Sequence, residues 1–94
     1  MNEFFDELGT RWVEASRRRG AAIETPTLDA RIALELLELA RVAAHTRERR
    51  FAPLSCYLAG VAAERTRAAQ ADFDASAVAD FIHEVWKELE ADVG

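Results

Sequence analysis

The chain has 94 residues, of which half are apolar, 9% are aromatic and 31% are charged. That length suits one domain with a thin core, and the composition is typical of an ordered chain. The net charge of −5 argues against general nucleic-acid binding. No apolar run could span a bilayer, and the first residues lack the basic start of a signal peptide. We therefore expect a cytoplasmic protein that does not contact a membrane.

The first predicted helix extends from Glu3 to Arg19, and Gly20 provides its C-terminal stop. One buried face is predicted from helical spacing, formed by Phe4, Phe5, Leu8, Trp12 and Ala15. Gly9 lies inside this helix and indicates the close approach of a neighbouring helix. A connector follows over residues 21–26.

The second predicted helix begins near Leu28, with Thr27 as its cap, and ends at His45 or Thr46. Its apolar residues cover most of the helical circumference, interrupted by Glu35, Glu38 and Arg41. A helix that is apolar on nearly all sides is typical of a central helix contacted by several neighbours.

The third predicted helix extends from Pro53 to Ala68, with Pro53 at its first position. Its predicted buried face consists of Leu54, Tyr57, Leu58, Val61 and Ala62. The fourth helix is capped by Asp74 or Ser76 and continues to Ala91. Four helices with short connections predict an all-α, single-domain compact bundle over residues 1–94.

The sequence contains only weak indications of metal binding or catalysis. Asp80 and His83 are three residues apart and could face one ion, but there is no paired-cysteine or HExxH pattern, so we expect neither metal nor cofactor. Cys56 is the only cysteine and is expected to be a small core residue. The serines show no recognisable triad, so we expect no catalytic residue and no enzyme activity. An independent enzyme would need a pocket holding a strongly perturbed acid or histidine.

A basic turn before the third helix is the most specific candidate site. Arg47, Arg49 and Arg50 precede a helix N-terminus, where backbone N–H groups favour an anion, and Ser55 adds a hydroxyl. His45 lies at the end of the preceding helix. The turn could hold a phosphate or a carboxylate. The alternative is a solvated helix end whose arginines pair with acids of the fourth helix.

Charge and apolar content also suggest a partner surface. Residues 41–67 contain six arginines and two glutamates, a net +4, whereas residues 74–94 contain six acids and one lysine, a net −5. Apolar area left uncovered on so small a chain favours a homodimer or a partner contact. Trp12, Phe51 and Trp86 are the candidate anchors. Ordinary core packing is the alternative role for these aromatic residues.

Several segments resemble a family of small bacterial helical proteins of unknown function, whose members read LARxxAH…R…APL(T/S)xFLxGLAAGR. The matching residues are Leu39 to His45, Arg49, Ala52 to Ser55, Tyr57 to Ala63 and Arg65. The sequence departs from the pattern at two positions: Arg50 replaces a frequent proline, and Glu64 a frequent glycine.

Members of that family are often associated with, or fused to, a molybdenum-cofactor guanylyltransferase of molybdopterin-guanine dinucleotide biosynthesis. The resemblance implies a non-catalytic accessory or interaction module in molybdenum-cofactor maturation. A guanylyltransferase or a molybdoenzyme would then be the expected partner. The alternative function is a small-molecule binder that holds a phosphorylated ligand at the basic turn.

Overall fold

Four α-helices make up the regular structure of residues 2–93, which the computed structural model describes. They are α1 (Glu3–Arg18), α2 (Ala30–Thr46), α3 (Phe51–Ala69) and α4 (Ala75–Val93). No strand occurs within residues 2–93. The predicted all-α class and its four helices are therefore confirmed. None of the described helices is long and apolar enough to cross a membrane.

The chain divides into two compact units, Met1–Ala30 and Arg31–Gly94. The first unit contains α1 and the connector that follows it, and the second contains α2, α3 and α4. The organisation into a single domain stays a prediction.

Both ends of α1 are closed by local hydrogen bonds. The Asn2 side chain accepts a 3.1 Å bond from the Phe5 N–H at the N-terminus. At the C-terminus Gly20 adopts a φ of +85°, and its N–H donates to the Arg17 carbonyl. The Ala21 N–H reaches back to Ser16, which completes a Schellman turn. Gly20 thus ends the helix, as predicted.

The buried side of α1 differs from the prediction. Phe4 and Trp12 are 64% and 56% exposed, whereas Gly9 is buried. A methyl group built on Gly9 would lie 2.7 Å from the Pro26 carbonyl oxygen and 3.1 Å from the Thr25 Cγ2. The close neighbour of Gly9 is therefore the connector folding back along α1, and not another helix.

The core of the second unit lies between its three helices. A cluster of buried side chains is formed by Leu39, Val42, Ala63, Val78, Ile82 and Trp86. Half-buried apolar residues pack around it: Ile32, Leu36, Ala59 and Phe73. Every helix of the unit contributes to this cluster, so α2, α3 and α4 depend on one another for their apolar burial.

The helix α2 is less enclosed than its sequence predicts. Leu39, Val42 and Ala43 are buried, but Leu34 and Leu37 remain 65% and 68% exposed. The exposed residues of α2 lie on one outer strip of the helix, and most of its other positions are buried or half-buried. The prediction of a central helix contacted by several neighbours therefore does not hold for the strip that carries Leu34 and Leu37.

The boundaries of the later helices show which caps operate. Asp74 caps α4, since its Oδ1 accepts a 2.9 Å bond from the Ala77 N–H. Ser76 instead accepts a bond from Arg31. The helix α3 begins at Phe51, two residues before Pro53, which is tolerated because a proline in the first turn removes an N–H that has no helical partner.

The glycines of α1 and α3 give opposite predictions for alanine substitution. Gly9→Ala should lower the free energy of unfolding by about 1–2 kcal/mol, because the new methyl group collides with backbone at Pro26. Gly60→Ala is the matched control, since its added methyl meets no atom within 4 Å. It should raise stability by about 0.5–1 kcal/mol through helix propensity.

Urea unfolding followed by far-ultraviolet circular dichroism measures both changes. Equal stabilisation by the two substitutions would contradict the close approach of the connector to α1.

Candidate functional site

The orientation of α3 determines which surface the second unit offers. The side of α3 that faces the core carries small residues, all buried or half-buried: Ala52, Ser55, Cys56, Ala59, Ala62, Ala63 and Thr66. The large residues Leu54, Tyr57 and Leu58 are 61%, 73% and 66% exposed. The predicted buried face is therefore wrong for these three residues, whereas its other two members, Val61 and Ala62, are half-buried.

Small side chains let α3 approach α2 closely. The Cys56 thiol donates to the Leu36 carbonyl of α2 at 3.7 Å, a contact between a side chain and the backbone of the neighbouring helix. Burial raises the pKa of the Cys56 thiol, so it remains protonated at neutral pH. Cys56 is thus a packing residue, in agreement with its predicted structural role.

An apolar groove of about 270 Å³ lies beside this exposed face and is called the α3–α4 groove here. It is lined by Leu39, Ser55, Leu58, Ala59, Ala62, Phe81, Ile82, Val85 and Leu89. Val85 and Leu89 form part of the α4 wall and are 42% and 38% exposed. Leu58 belongs both to the exposed face of α3 and to the wall of the groove, so the two features adjoin.

The first residues of α3 offer no free backbone N–H group. The Phe51 N–H donates to the Glu48 carbonyl at 2.9 Å, and the Ala52 N–H donates to the Arg49 carbonyl at 3.2 Å. Pro53 has no N–H. The first three residues of α3 therefore present no free backbone donor to an anion, which removes the main physical basis for a phosphate site.

The side chains predicted for the anion site are only partly brought together. Arg50 pairs with Glu48, with its Nε 2.6 Å from the carboxylate. Ser55 lies in the second turn of α3 and lines the α3–α4 groove. His45, Arg47 and Arg49 are exposed near the turn. Arg47 and Arg49 have no ion pair among residues 2–93.

The aromatic anchor candidates divide into two groups. Trp12 on α1 and Phe51 at the start of α3 are 56% and 43% exposed. Trp86 is only 8% exposed and belongs to the core cluster. A buried indole offers little surface to a partner, so Trp86 is no longer a candidate anchor.

Trp86 belongs instead to a polar cluster that the sequence did not reveal. The Glu35 carboxylate of α2 accepts a 2.8 Å bond from the Trp86 Nε1–H. His83 Nδ1 lies 3.0 Å from the same oxygen, and the N–H must be on the histidine because a carboxylate can only accept. Glu35, which the sequence places as an interruption of an apolar helix, is thus shielded from water, and its side chain is only 15% exposed.

The Trp86 hydrogen bond is the main reason that the pKa of Glu35 lies below its ordinary value. Partial burial opposes this effect, and the His83 bond adds to it. Asp80, which the sequence placed beside His83, pairs with Arg31 of α2. No group of metal ligands occurs among residues 2–93. The Glu35–His83–Trp86 cluster therefore joins α2 to α4.

These features define a small all-α domain whose distinctive surface is an exposed apolar face on α3. A domain of unknown function, DUF6457, matches residues 5–93, so the chain belongs to this family. No curated protein and no solved structure matches the chain. The predicted membership of an uncharacterised family is confirmed, and the connection with the molybdenum cofactor stays a prediction.

Replacing Trp86 tests the cluster. Trp86→Phe should lower the free energy of unfolding by about 2 kcal/mol at neutral pH, because Glu35 loses its strongest hydrogen bond. Trp12→Phe is the control and should change stability by less than about 0.5 kcal/mol, since Trp12 is exposed. Urea unfolding measures both changes.

The pH dependence gives the second readout of this test. A lowered pKa means that Glu35 stabilises the fold above its ordinary pKa of about 4.3, and that this contribution disappears as the pH falls through the folded-state value. The difference between the wild-type protein and Trp86→Phe should therefore shrink in acid. A difference that is constant with pH would contradict the role of Glu35.

Proposed function

We propose that this domain is a non-catalytic interaction module, and that the exposed apolar face of α3 is its binding surface. The observation that carries the proposal is the exposure of Leu54, Tyr57 and Leu58, each above 60%. Single exposed apolar residues are common on soluble proteins, but a contiguous group beside an apolar groove is typical of a binding surface.

The chemistry of the face supports binding rather than catalysis. It consists of hydrocarbon side chains and one phenol, that of Tyr57, and the thiol of neighbouring Cys56 points toward α2. Aromatic and aliphatic side chains of this kind are what protein interfaces bury at their centres. Tyr57, the most exposed of the three, can bury its ring while its hydroxyl stays at the edge of the contact.

The biological context of the module is a further part of the proposal. The resemblance of residues 39–65 to proteins associated with molybdopterin-guanine dinucleotide biosynthesis supports a role in molybdenum-cofactor maturation. A guanylyltransferase or a molybdoenzyme is the corresponding protein partner. This context rests on the sequence resemblance alone.

A phosphorylated ligand at the basic turn is not supported by a comparable observation. The N–H groups of Phe51 and Ala52 are occupied, Arg50 is paired with Glu48, and Ser55 lies in the groove. The remaining arginines are exposed, where isolated charge contacts contribute little free energy. We therefore place the function on the apolar face.

Glutamate substitutions on α3 test the binding surface. Leu54→Glu combined with Leu58→Glu should weaken partner binding at least tenfold, because two carboxylates would have to lose water in an apolar contact. The matched control is Leu34→Glu combined with Leu37→Glu on α2, whose leucines are equally exposed. Both variants should keep their helix content.

The measurement is a pull-down from a lysate of the source organism, in which the wild-type protein and the two variants serve as bait. We expect mass spectrometry to identify proteins that the wild type and the α2 variant retain and that the α3 variant loses. A guanylyltransferase or molybdoenzyme among them would support the molybdenum-cofactor context. Identical sets of captured proteins for all three baits would contradict the assignment of the α3 face.

A further inference from the structure

We infer that the occupant of the α3 face is a second copy of this chain, bound through the same face in a two-fold dimer. This inference rests on the proposed function, because it names the partner of the same surface. Its evidence is the shape of the face and the distribution of charges along the two edges of that face.

The shape of the surface suits contact with itself. An isologous contact requires one surface to carry both a projection and a depression, so that each copy fills the other. Leu54 and Tyr57 project from α3, with more than half of each residue exposed. The α3–α4 groove lies next to them, with Val85 and Leu89 on its α4 wall. Leu58, which lines the groove, follows Leu54 by one helical turn, so the projection and the depression adjoin.

The α3 edge of this surface carries unpaired positive charge. Arg65 follows Leu58 by seven residues and thus lies two turns further along the same side of α3. Arg47 and Arg49 lie in the turn before the helix. None of these three arginines has an ion pair within residues 2–93, whereas Arg41 and Arg50 are paired with glutamates.

The α4 edge carries unpaired negative charge. Glu84, Glu88 and Asp92 are spaced by four residues and form one stripe along the helix. Glu84 and Glu88 follow the groove residue Phe81 by three and seven residues, which places the stripe beside the groove. These three carboxylates have no ion pair within the described residues.

A two-fold arrangement brings these edges together twice. When the apolar faces of two copies meet about a two-fold axis parallel to α3 and α4, the basic edge of α3 in one copy lies against the acidic edge of α4 in the other, and the reverse contact forms by symmetry. Each copy thus supplies the charge that the other lacks. A different partner would have to present both signs of charge in the same arrangement around an apolar centre.

Charge reversal gives a sharp test by analytical ultracentrifugation of the full chain. The α4-basic variant carries Glu84→Lys and Glu88→Lys, and the α3-acidic variant carries Arg49→Glu and Arg65→Glu. Each variant alone should dimerise at least tenfold more weakly than the wild type, because like charges then face each other across the contact. Mixed in equal amounts, the two variants should form a heterodimer with affinity close to that of the wild type.

The heterodimer is expected because both of its contacts pair opposite charges. Added salt should weaken the wild-type dimer, and it should reduce the repulsion between the two copies in the homodimer of each variant. The control is Glu3→Lys with Glu14→Lys on α1, which changes the net charge as much as the α4-basic variant does and should leave dimerisation unchanged. Circular dichroism checks that all variants keep their helices.

A wild-type chain that stays monomeric at its highest soluble concentration would overturn the inference. A mixture of the two variants that associates no better than either alone would overturn it as well. Failure of the dimer is distinguishable from failure of the interaction module. If only the dimer inference fails, the wild type is monomeric, but the Leu54→Glu, Leu58→Glu variant still loses a protein, other than this chain, that the wild type captures. If the interaction module itself fails, these substitutions change neither the self-association of the chain nor the set of proteins that it captures.

Discussion

The close packing of α3 through its small side chains is the constraint on which the surface of this protein depends. Ala59 and Ala63 face the core, and Cys56 reaches the backbone of α2. Because α3 meets its neighbours on one side, placing its small residues inward places Leu54, Tyr57 and Leu58 outward. The apolar binding face is thus a direct consequence of how the core of the second unit is filled. That core in turn relies on Leu39, Val42, Ile82 and Trp86 for most of its volume.

Polar contacts define how α2 and α4 meet. Glu35 accepts hydrogen bonds from two residues of α4. These bonds compensate for the water that its mostly shielded carboxylate has lost. Arg31 and Arg41 add ion pairs along the same junction, but they are substantially exposed and contribute less. The α2–α4 junction therefore uses paired polar groups, whereas the contact of α3 depends mainly on close apolar packing. The outer side of α3 is apolar in the first half of the helix, where Leu54, Tyr57 and Leu58 lie, and charged residues such as Arg65 follow only in the second half.

Much of the fold could be predicted from the sequence, because helix propensity and capping act locally. Asp74 and Gly20 mark helix ends through bonds with their own neighbours, and four helices follow from apolar spacing. The side of α3 that is buried could not be predicted, since that helix has two apolar sides, one of small residues and one of large. Periodicity favours the larger residues, but the space beside α2 admits only the smaller. Glu35 was missed for a related reason: its partners lie about fifty residues away on another helix.

The orientation of α3 is tested most directly by comparing the reactivity of two thiols on it. The native Cys56 is half-buried and bonded to Leu36, whereas position 58 is exposed. Leu58→Cys in a Cys56→Ala background should react with a maleimide in dilute solution nearly as fast as a free thiol, and native Cys56 should react much more slowly. The reverse order, with Cys56 fast and position 58 protected, would contradict the orientation of α3 and the binding surface derived from it.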